Sequence, residues 1–173
     1  MLSHLNSKSG FSYHSISDSF QVGINRVPRS RFKEHLKYFS NKSDIFISFD
    51  DGYECFYLNC LDDISRFKIP SIVFPITSSI GLHNRWDVNF LINKERHMTS
   101  EQIYESYKSG VEIGSHGHTH KSLIYMNDID LSKELSYSKS ILEDIISKKI
   151  VSLSPPFGHI DQRVLDAAYV AGY

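Results

Sequence analysis

Hydrophobic and polar residues follow one another along this chain in blocks that predict strands alternating with helices. The apolar runs 45–49 (IFISF) and 71–76 (SIVFPI) are typical of buried strands, and Pro75 places the end of the second run at a bulge or a strand terminus. Segments 111–115 and 150–153 predict two further strands. Strands alternating with helices and running in the same sense indicate an α/β fold with a parallel sheet or barrel.

Apolar residues at helical spacing predict the helices that separate these strands. The predicted helices are 30–39 with Ser30 as a candidate cap, 54–67, a helix that starts at a capping box in 99–102, 131–147, and a last helix from Asp161 to about Gly172. We treat residues 1–173 as a single domain in which about 1–40 form a lead-in segment with one short helix.

The composition is that of one globular domain, with 40% hydrophobic and 23% charged residues in 173. Nineteen Lys and Arg against twenty Asp and Glu give a formal net charge of -1. Such a balance excludes a broad basic field, so we expect no nucleic-acid partner and no anionic membrane partner.

The N-terminal residues 1–19 are polar and lack the continuous apolar core of a signal peptide. No window reaches the roughly 20 apolar residues of a transmembrane helix, so we expect a cytoplasmic protein if Met1 is the true start. Cys55 and Cys60 lie in a predicted helix, which argues against a disulfide framework.

Unusual polar residues follow three of the predicted strands. They are Asp50 and Asp51, the segment 116–120 (HGHTH) and the segment 155–158 (PPFG). In parallel α/β folds the carboxyl ends of the strands form the face on which sites are built, so we expect these segments to lie together.

Adjacent carboxylates at the end of an apolar strand repel each other unless a cation or a proton compensates them. Neighbouring side chains on a strand end point in different directions, so one of Asp50 and Asp51 can bind a divalent metal while the other faces water. The alternative is a solvated Asp-Asp-Gly turn.

The histidine-rich segment favours the metal site. His116 and His120 stand at the i, i+4 spacing that lets two imidazoles from one short loop or first helical turn converge on an ion. A surface cluster of three histidines is the alternative. Two imidazoles and the Asp51 carboxylate leave open positions for water, which is typical of a catalytic site, and nitrogen and oxygen ligands favour Zn²⁺.

These segments resemble the motifs of the polysaccharide deacetylases, also called the NodB-homology domain or carbohydrate esterase family 4. The first motif, usually Thr-Phe-Asp-Asp-Gly, is SFDDG at 48–52; the second, His-Ser/Thr-x-x-His, is HGHTH at 116–120; the third, Arg-x-Pro-Tyr-Gly, is SPPFG at 154–158. Their order agrees with the family, and similarity runs from about Tyr13 and His14 to the end.

The resemblance implies metal-dependent hydrolysis of N-acetyl groups on a carbohydrate, with release of acetate. It implies Asp50 as the general base, a metal held by Asp51, His116 and His120, and the backbone N–H of Phe157 as an oxyanion donor. Pro155, Pro156 and Phe157 would also line the substrate site. Trp86, in a long segment with Asp87, is a further candidate for substrate contact.

The chain departs from the family in three respects, the first of which is the segment 80–98, longer than in minimal members. Ser154 replaces the arginine that orients the base in most members. The family's distorted (β/α) barrel and its general-acid histidine extend beyond the position of Tyr173. We therefore expect an incomplete barrel that self-associates through its open edge or is unstable, and that deacetylates weakly or not at all. His159 is a candidate substitute acid, although a surface turn residue is the simpler interpretation.

Two other functions stay open at this point. The chain could hydrolyse another non-peptide carbon–nitrogen bond, since the residues recognise an amide more obviously than a sugar. It could also be a truncated, non-catalytic module that binds metal and glycan. Acetate release with and without a chelator distinguishes an enzyme from such a module.

Overall fold

The protein is an α/β chain in which a parallel sheet is flanked by helices. The structure, a computed structural model, describes residues 9–18, 25–84 and 95–173. The strands are β1 (Ser9–Tyr13), β2 (Ser15–Ile16), β3 (Arg26–Val27), β4 (Ile45–Phe49), β5 (Ser71–Val73) and β6 (Glu112–Ile113). The helices are α1 (Arg29–Phe39), α2 (Glu54–Asn59), α3 (Leu61–Phe67), α4 (Ser100–Lys108), α5 (Asp128–Ile146) and α6 (Gln162–Ala171).

The main sheet has four strands in the order β1-β4-β5-β6, and each neighbouring pair is parallel. Ile45, Ile47 and Phe49 of β4 are buried, as expected for a strand covered by helices. The predicted α/β fold with a parallel sheet is confirmed, and over the described residues the sheet is open, with β1 at one edge.

The predicted strand at 150–153 is reduced to a single parallel bridge between Ser115 and Leu153. Pro155 and Pro156 follow after Ser154, and because proline has no backbone N–H the ladder cannot continue through them. The bridge nevertheless places the segment after Leu153 beside the segment after β6.

Strand β1, which the sequence pattern does not predict, pairs with β4 along its whole length. Two predictions about the helices require correction. The predicted helix 54–67 is two helices, because Cys60 leaves the helical conformation with φ -120° and ψ -33°. Ser30 is not a cap, since α1 follows Pro28, which occupies the N-cap position without a side-chain cap bond.

The other predicted helix ends agree with the structure. Thr99 and Gln102 form the capping box of α4. The Asp161 side chain accepts a hydrogen bond from the Val164 N–H at 2.8 Å, and α6 ends at Gly172 in the left-handed conformation with φ 87°. Helix α5 begins three residues before the predicted start because Asn127 caps it.

One large core lies between the sheet and its helices. Phe32 and Leu36 of α1 pack with β4, and both are fully buried. Burying a side chain of this size stabilises the fold by about 1.5–3 kcal/mol. A smaller cluster between α5 and α6 contains Leu131, Leu135 and Val164. The helices around this core hold the strand ends, and hence the candidate site, in place.

Both cysteines, Cys55 and Cys60, are buried and free of disulfide bonds. In the part of the chain that the structure describes, no helix combines the length and the apolar character needed to cross a bilayer.

Candidate metal and catalytic site

Three chain segments meet at the carboxyl edge of the sheet. Asp50 and Asp51 follow β4, the histidine loop (residues 116–120) follows β6 and Ser115, and the segment from Ser154 follows the bridge at Leu153. Parallel strands end at the same edge, which is why segments distant in sequence come together here.

Asp51, His116 and His120 form a group that could hold a metal ion. The Asp51 Oδ1 lies 3.5 Å from His116 Nε2 and 3.3 Å from His120 Nε2, and one ligand atom from each residue lies within 4.8 Å of the others. Asp51 and His116 are buried, and only 11% of the His120 side chain is exposed. The three residues predicted to bind metal are therefore adjacent in space.

A hydrogen bond fixes the His116 ring. Its Nδ1 lies 2.7 Å from the carbonyl oxygen of Ser154, which can only accept, so Nδ1 carries the proton. Burial lowers the pKa of His116, which favours the neutral ring. A neutral ring with its proton on Nδ1 presents the lone pair of Nε2 towards Asp51, as a metal ligand requires.

The histidines converge through a loop and not through a helical turn. The loop has positive φ at Gly117 (79°) and at His120 (58°), so its path is incompatible with a right-handed helix. The sequence left loop and helical turn open, and the structure selects the loop. Asp51 and Phe157 are also left-handed, with φ 66° and 63°.

Glu134 of α5 holds this loop from behind. Its Oε1 accepts hydrogen bonds from the backbone N–H groups of His118 at 2.8 Å and Thr119 at 2.5 Å. Its Oε2 accepts one from the Thr119 hydroxyl at 2.9 Å. The side chain is buried, and sequence analysis missed it because a glutamate on a helix gives no local sign of such a role.

Asp50 receives a hydrogen bond on each carboxylate oxygen. The Ser12 hydroxyl donates to Oδ2 at 3.0 Å, and the Ser154 hydroxyl donates to Oδ1 at 3.1 Å. The Asp50 backbone N–H donates to the carbonyl of Tyr13 at 2.9 Å. Ser12 was not predicted, because the strand that carries it was not.

The sequence model of the family described as polysaccharide deacetylase matches residues 37–173. This chain belongs to the polysaccharide deacetylase family. The match includes all three motif segments around the candidate site.

Individual relatives agree with the family assignment. A Bacillus subtilis protein named as a polysaccharide deacetylase is 25% identical over an alignment of 183 positions. The alignment covers 93% of this chain and 60% of that protein. The poly-beta-1,6-N-acetyl-D-glucosamine N-deacetylase of Staphylococcus aureus is 27% identical over 140 residues, which cover 76% of this chain and 46% of that enzyme. The chain thus spans about half the length of the curated relatives it matches.

A solved deacetylase has the same fold. The Streptococcus pyogenes deacetylase PplD, determined in complex with acetate, superposes with a TM-score of 0.80 at 17% identity and covers 96% of this chain and 80% of that one. The predicted NodB type of fold is therefore confirmed.

The residues predicted to line the substrate site of this polysaccharide deacetylase family member differ in their exposure to solvent. Phe157 is exposed, and its ring lies 5.0 Å from the His120 ring, centroid to centroid. Pro156 is buried and Pro155 is half-buried, so Phe157 offers the most accessible side chain of the three. Trp86 lies outside the described residues, and its contact with substrate stays a prediction.

The two other histidines near the site make contacts of their own. His118 Nδ1 lies 2.9 Å from the Thr77 hydroxyl. His159, the candidate substitute acid, is exposed, and its Nδ1 lies 3.2 Å from the Ser122 hydroxyl. Neither ring belongs to the group formed by Asp51, His116 and His120.

Proposed function

We propose that this chain carries the metal-binding part of a deacetylase that hydrolyses N-acetyl groups on a glycan and releases acetate. The observation that carries the proposal is the convergence of Asp51, His116 and His120 next to Asp50 at one edge of the sheet. The names of the relatives supply the substrate class, since the Staphylococcus aureus protein is named as an N-deacetylase of poly-beta-1,6-N-acetyl-D-glucosamine.

The donor set fits a divalent ion. Asp51 would supply a carboxylate oxygen, and His116 and His120 would each supply Nε2, the atom that faces Asp51. Three protein ligands leave positions for substrate and water, as in catalytic zinc sites. A bound Zn²⁺ would act as a Lewis acid on the acetamide carbonyl and would acidify water.

The neighbouring residues would perform the proton transfer and bind the developing charge. Asp50 would take a proton from the water that adds to the carbonyl carbon. The backbone N–H of Phe157 would stabilise the negative oxygen of the tetrahedral intermediate. The carbon–nitrogen bond would then break as the nitrogen takes up the proton that Asp50 received, and acetate and a free amine would result.

The test is acetate release from N-acetylated oligomers of β-1,6-linked glucosamine by the zinc-loaded full chain. Protein in excess over substrate makes slow release measurable, and a fluorogenic amine reagent detects the second product. We expect release that stops when a chelator removes the ion. Zinc binding without any release of acetate or amine would instead support a non-catalytic module.

The same assay tests whether Asp50 acts as the general base. Asp50→Asn should retain zinc and lose activity by about a hundredfold or more, since a general base contributes on that order. Asp44→Asn is the matched control, because Asp44 is exposed and directly precedes β4, whereas Asp50 directly follows the other end of that strand. Equal rates for Asp50→Asn and the unsubstituted chain would contradict the assignment.

A further inference from the structure

Two serines from distant parts of the chain hold the Asp50 carboxylate between them. Ser12 lies 38 residues before Asp50 and Ser154 lies 104 residues after it, yet each donates a hydroxyl hydrogen bond to a different carboxylate oxygen. The hydroxyl of each serine is therefore committed to the same acidic group.

The backbone fixes the position of each serine. Ser12 belongs to β1, where it is the register partner of Ser48, and the following residue Tyr13 accepts the Asp50 N–H through its carbonyl. On the other side, the Ser154 N–H donates to the Ser115 carbonyl at 2.9 Å. The Ser12 hydroxyl thus approaches Asp50 from a paired strand, and the Ser154 hydroxyl approaches it from a residue whose backbone N–H is hydrogen-bonded next to the bridge at Leu153.

We propose that Ser12 and Ser154 are positioning residues that set the plane of the Asp50 carboxylate for proton abstraction. The inference rests on the proposed function, in which Asp50 is the general base. A carboxylate rotates readily about its terminal torsion, which has broad minima. Two donors on opposite oxygens remove that freedom and leave each oxygen with acceptor capacity for a water molecule.

Ser154 also connects the base with a metal-site residue. Its hydroxyl donates to Asp50, and its carbonyl accepts from His116 Nδ1 at 2.7 Å. The first contact depends on the side chain and the second on the backbone. Removing the hydroxyl should therefore disturb the base and leave the orientation of the His116 ring unchanged.

Matched substitutions distinguish the effect of losing the serine hydroxyl from the effect of changing the shape of the side chain. Thr keeps a hydroxyl and Val has nearly the same shape without one, so the variants are Ser12→Thr, Ser12→Val, Ser154→Thr and Ser154→Val. We expect each Val variant to lower kcat by about tenfold, with KM and bound zinc unchanged, because misplacement of a reacting group slows the chemical step. The Thr variants should stay within about threefold of the unsubstituted chain.

Combination with Asp50→Asn tests whether the serines act through Asp50. In that background neither Val substitution should reduce the residual rate further, since the group that they position is gone. Equal kcat values for Thr and Val, loss of zinc in the Val variants, or an undiminished Val effect beside Asp50→Asn would each overturn the proposal.

If the chain releases no acetate, that result contradicts the proposed function but does not test the role of the serines. Crystal structures of the variants then test that role directly. In the double variant Ser12→Val/Ser154→Val we expect the Asp50 carboxylate to be rotated or to occupy several orientations, and in the double Thr variant to keep one. An identical, single orientation in both double variants would show that the serines do not position it.

Discussion

Thr119 donates two hydrogen bonds to Glu134, one from its backbone N–H and one from its hydroxyl. Thr119 lies directly before His120, so the contact fixes the histidine loop one residue from a predicted metal ligand. The carboxylate of a helix residue thereby determines the path of a loop that has no regular secondary structure of its own.

Removing this carboxylate should weaken metal binding without removing any ligand. We expect Glu134→Ala to lower zinc affinity by about tenfold, in the range seen when groups that support metal ligands are lost. The control is Asp144→Ala, which removes an exposed acidic side chain from the same helix. Competition with a chromogenic chelator measures the zinc affinity of both variants. Equal zinc affinities for Glu134→Ala and Asp144→Ala would contradict the role given to Glu134.

A methyl group at Gly117 should destabilise the same loop. Gly117 has φ 79°, and a Cβ there would lie 3.0 Å from Glu134 Oε1. Gly110 is a matched control, because its φ is 94° and a Cβ would meet nothing within 4 Å. By urea denaturation we expect Gly110→Ala to cost about 1 kcal/mol for backbone strain, and Gly117→Ala to cost about 1 kcal/mol more. Equal losses would mean that the loop accommodates the clash.

Metal content should distinguish the three histidines of the loop. His116→Ala and His120→Ala should each reduce bound zinc from about one ion per chain to near zero, because two protein ligands are too few for a stable site. His118→Ala should keep the ion, since its ring contacts Thr77 instead. Elemental analysis after dialysis provides the measurement, and full zinc content in both of the first two variants would contradict the ligand set.

The thiols should be unreactive in the folded protein. Burial raises the pKa of Cys55 to about 12 and also raises the pKa of Cys60. At pH 8 only about one Cys55 thiol in ten thousand is then the reactive thiolate. We expect a disulfide reagent such as Ellman's reagent to label neither cysteine until urea unfolds the chain. Rapid labelling of the native protein would show that the α2–α3 region opens.

The features that could be predicted from the sequence are those that depend on residues close together along the chain. Four of the five residues of strand β4 are apolar, and the capping box at Thr99 has both of its residues within one helical turn. Strand β1 was missed because four of its five residues are exposed at the sheet edge, so it lacks the apolar pattern of a buried strand.

The metal-site residues were predictable and their supports were not. Asp51, His116 and His120 stand out because carboxylates and imidazoles after apolar strands are unusual. Ser12 and Glu134 are common residue types whose contacts form only when the chain folds, across 38 residues in one case and 15 to 16 in the other. No single-sequence pattern encodes such contacts.

The left-handed backbone at the site has a consequence for how sequences of this kind change over time. In the described part of the chain five non-glycine residues have positive φ, and three of them, Asp51, His120 and Phe157, belong to the candidate site. Each such residue costs about 1 kcal/mol relative to glycine. A library sorted only for folding should therefore accumulate glycine or asparagine at these three positions, while one sorted for acetate release should retain the present residues. Selection for stability and selection for acetate release thus favour different residues at the same three positions.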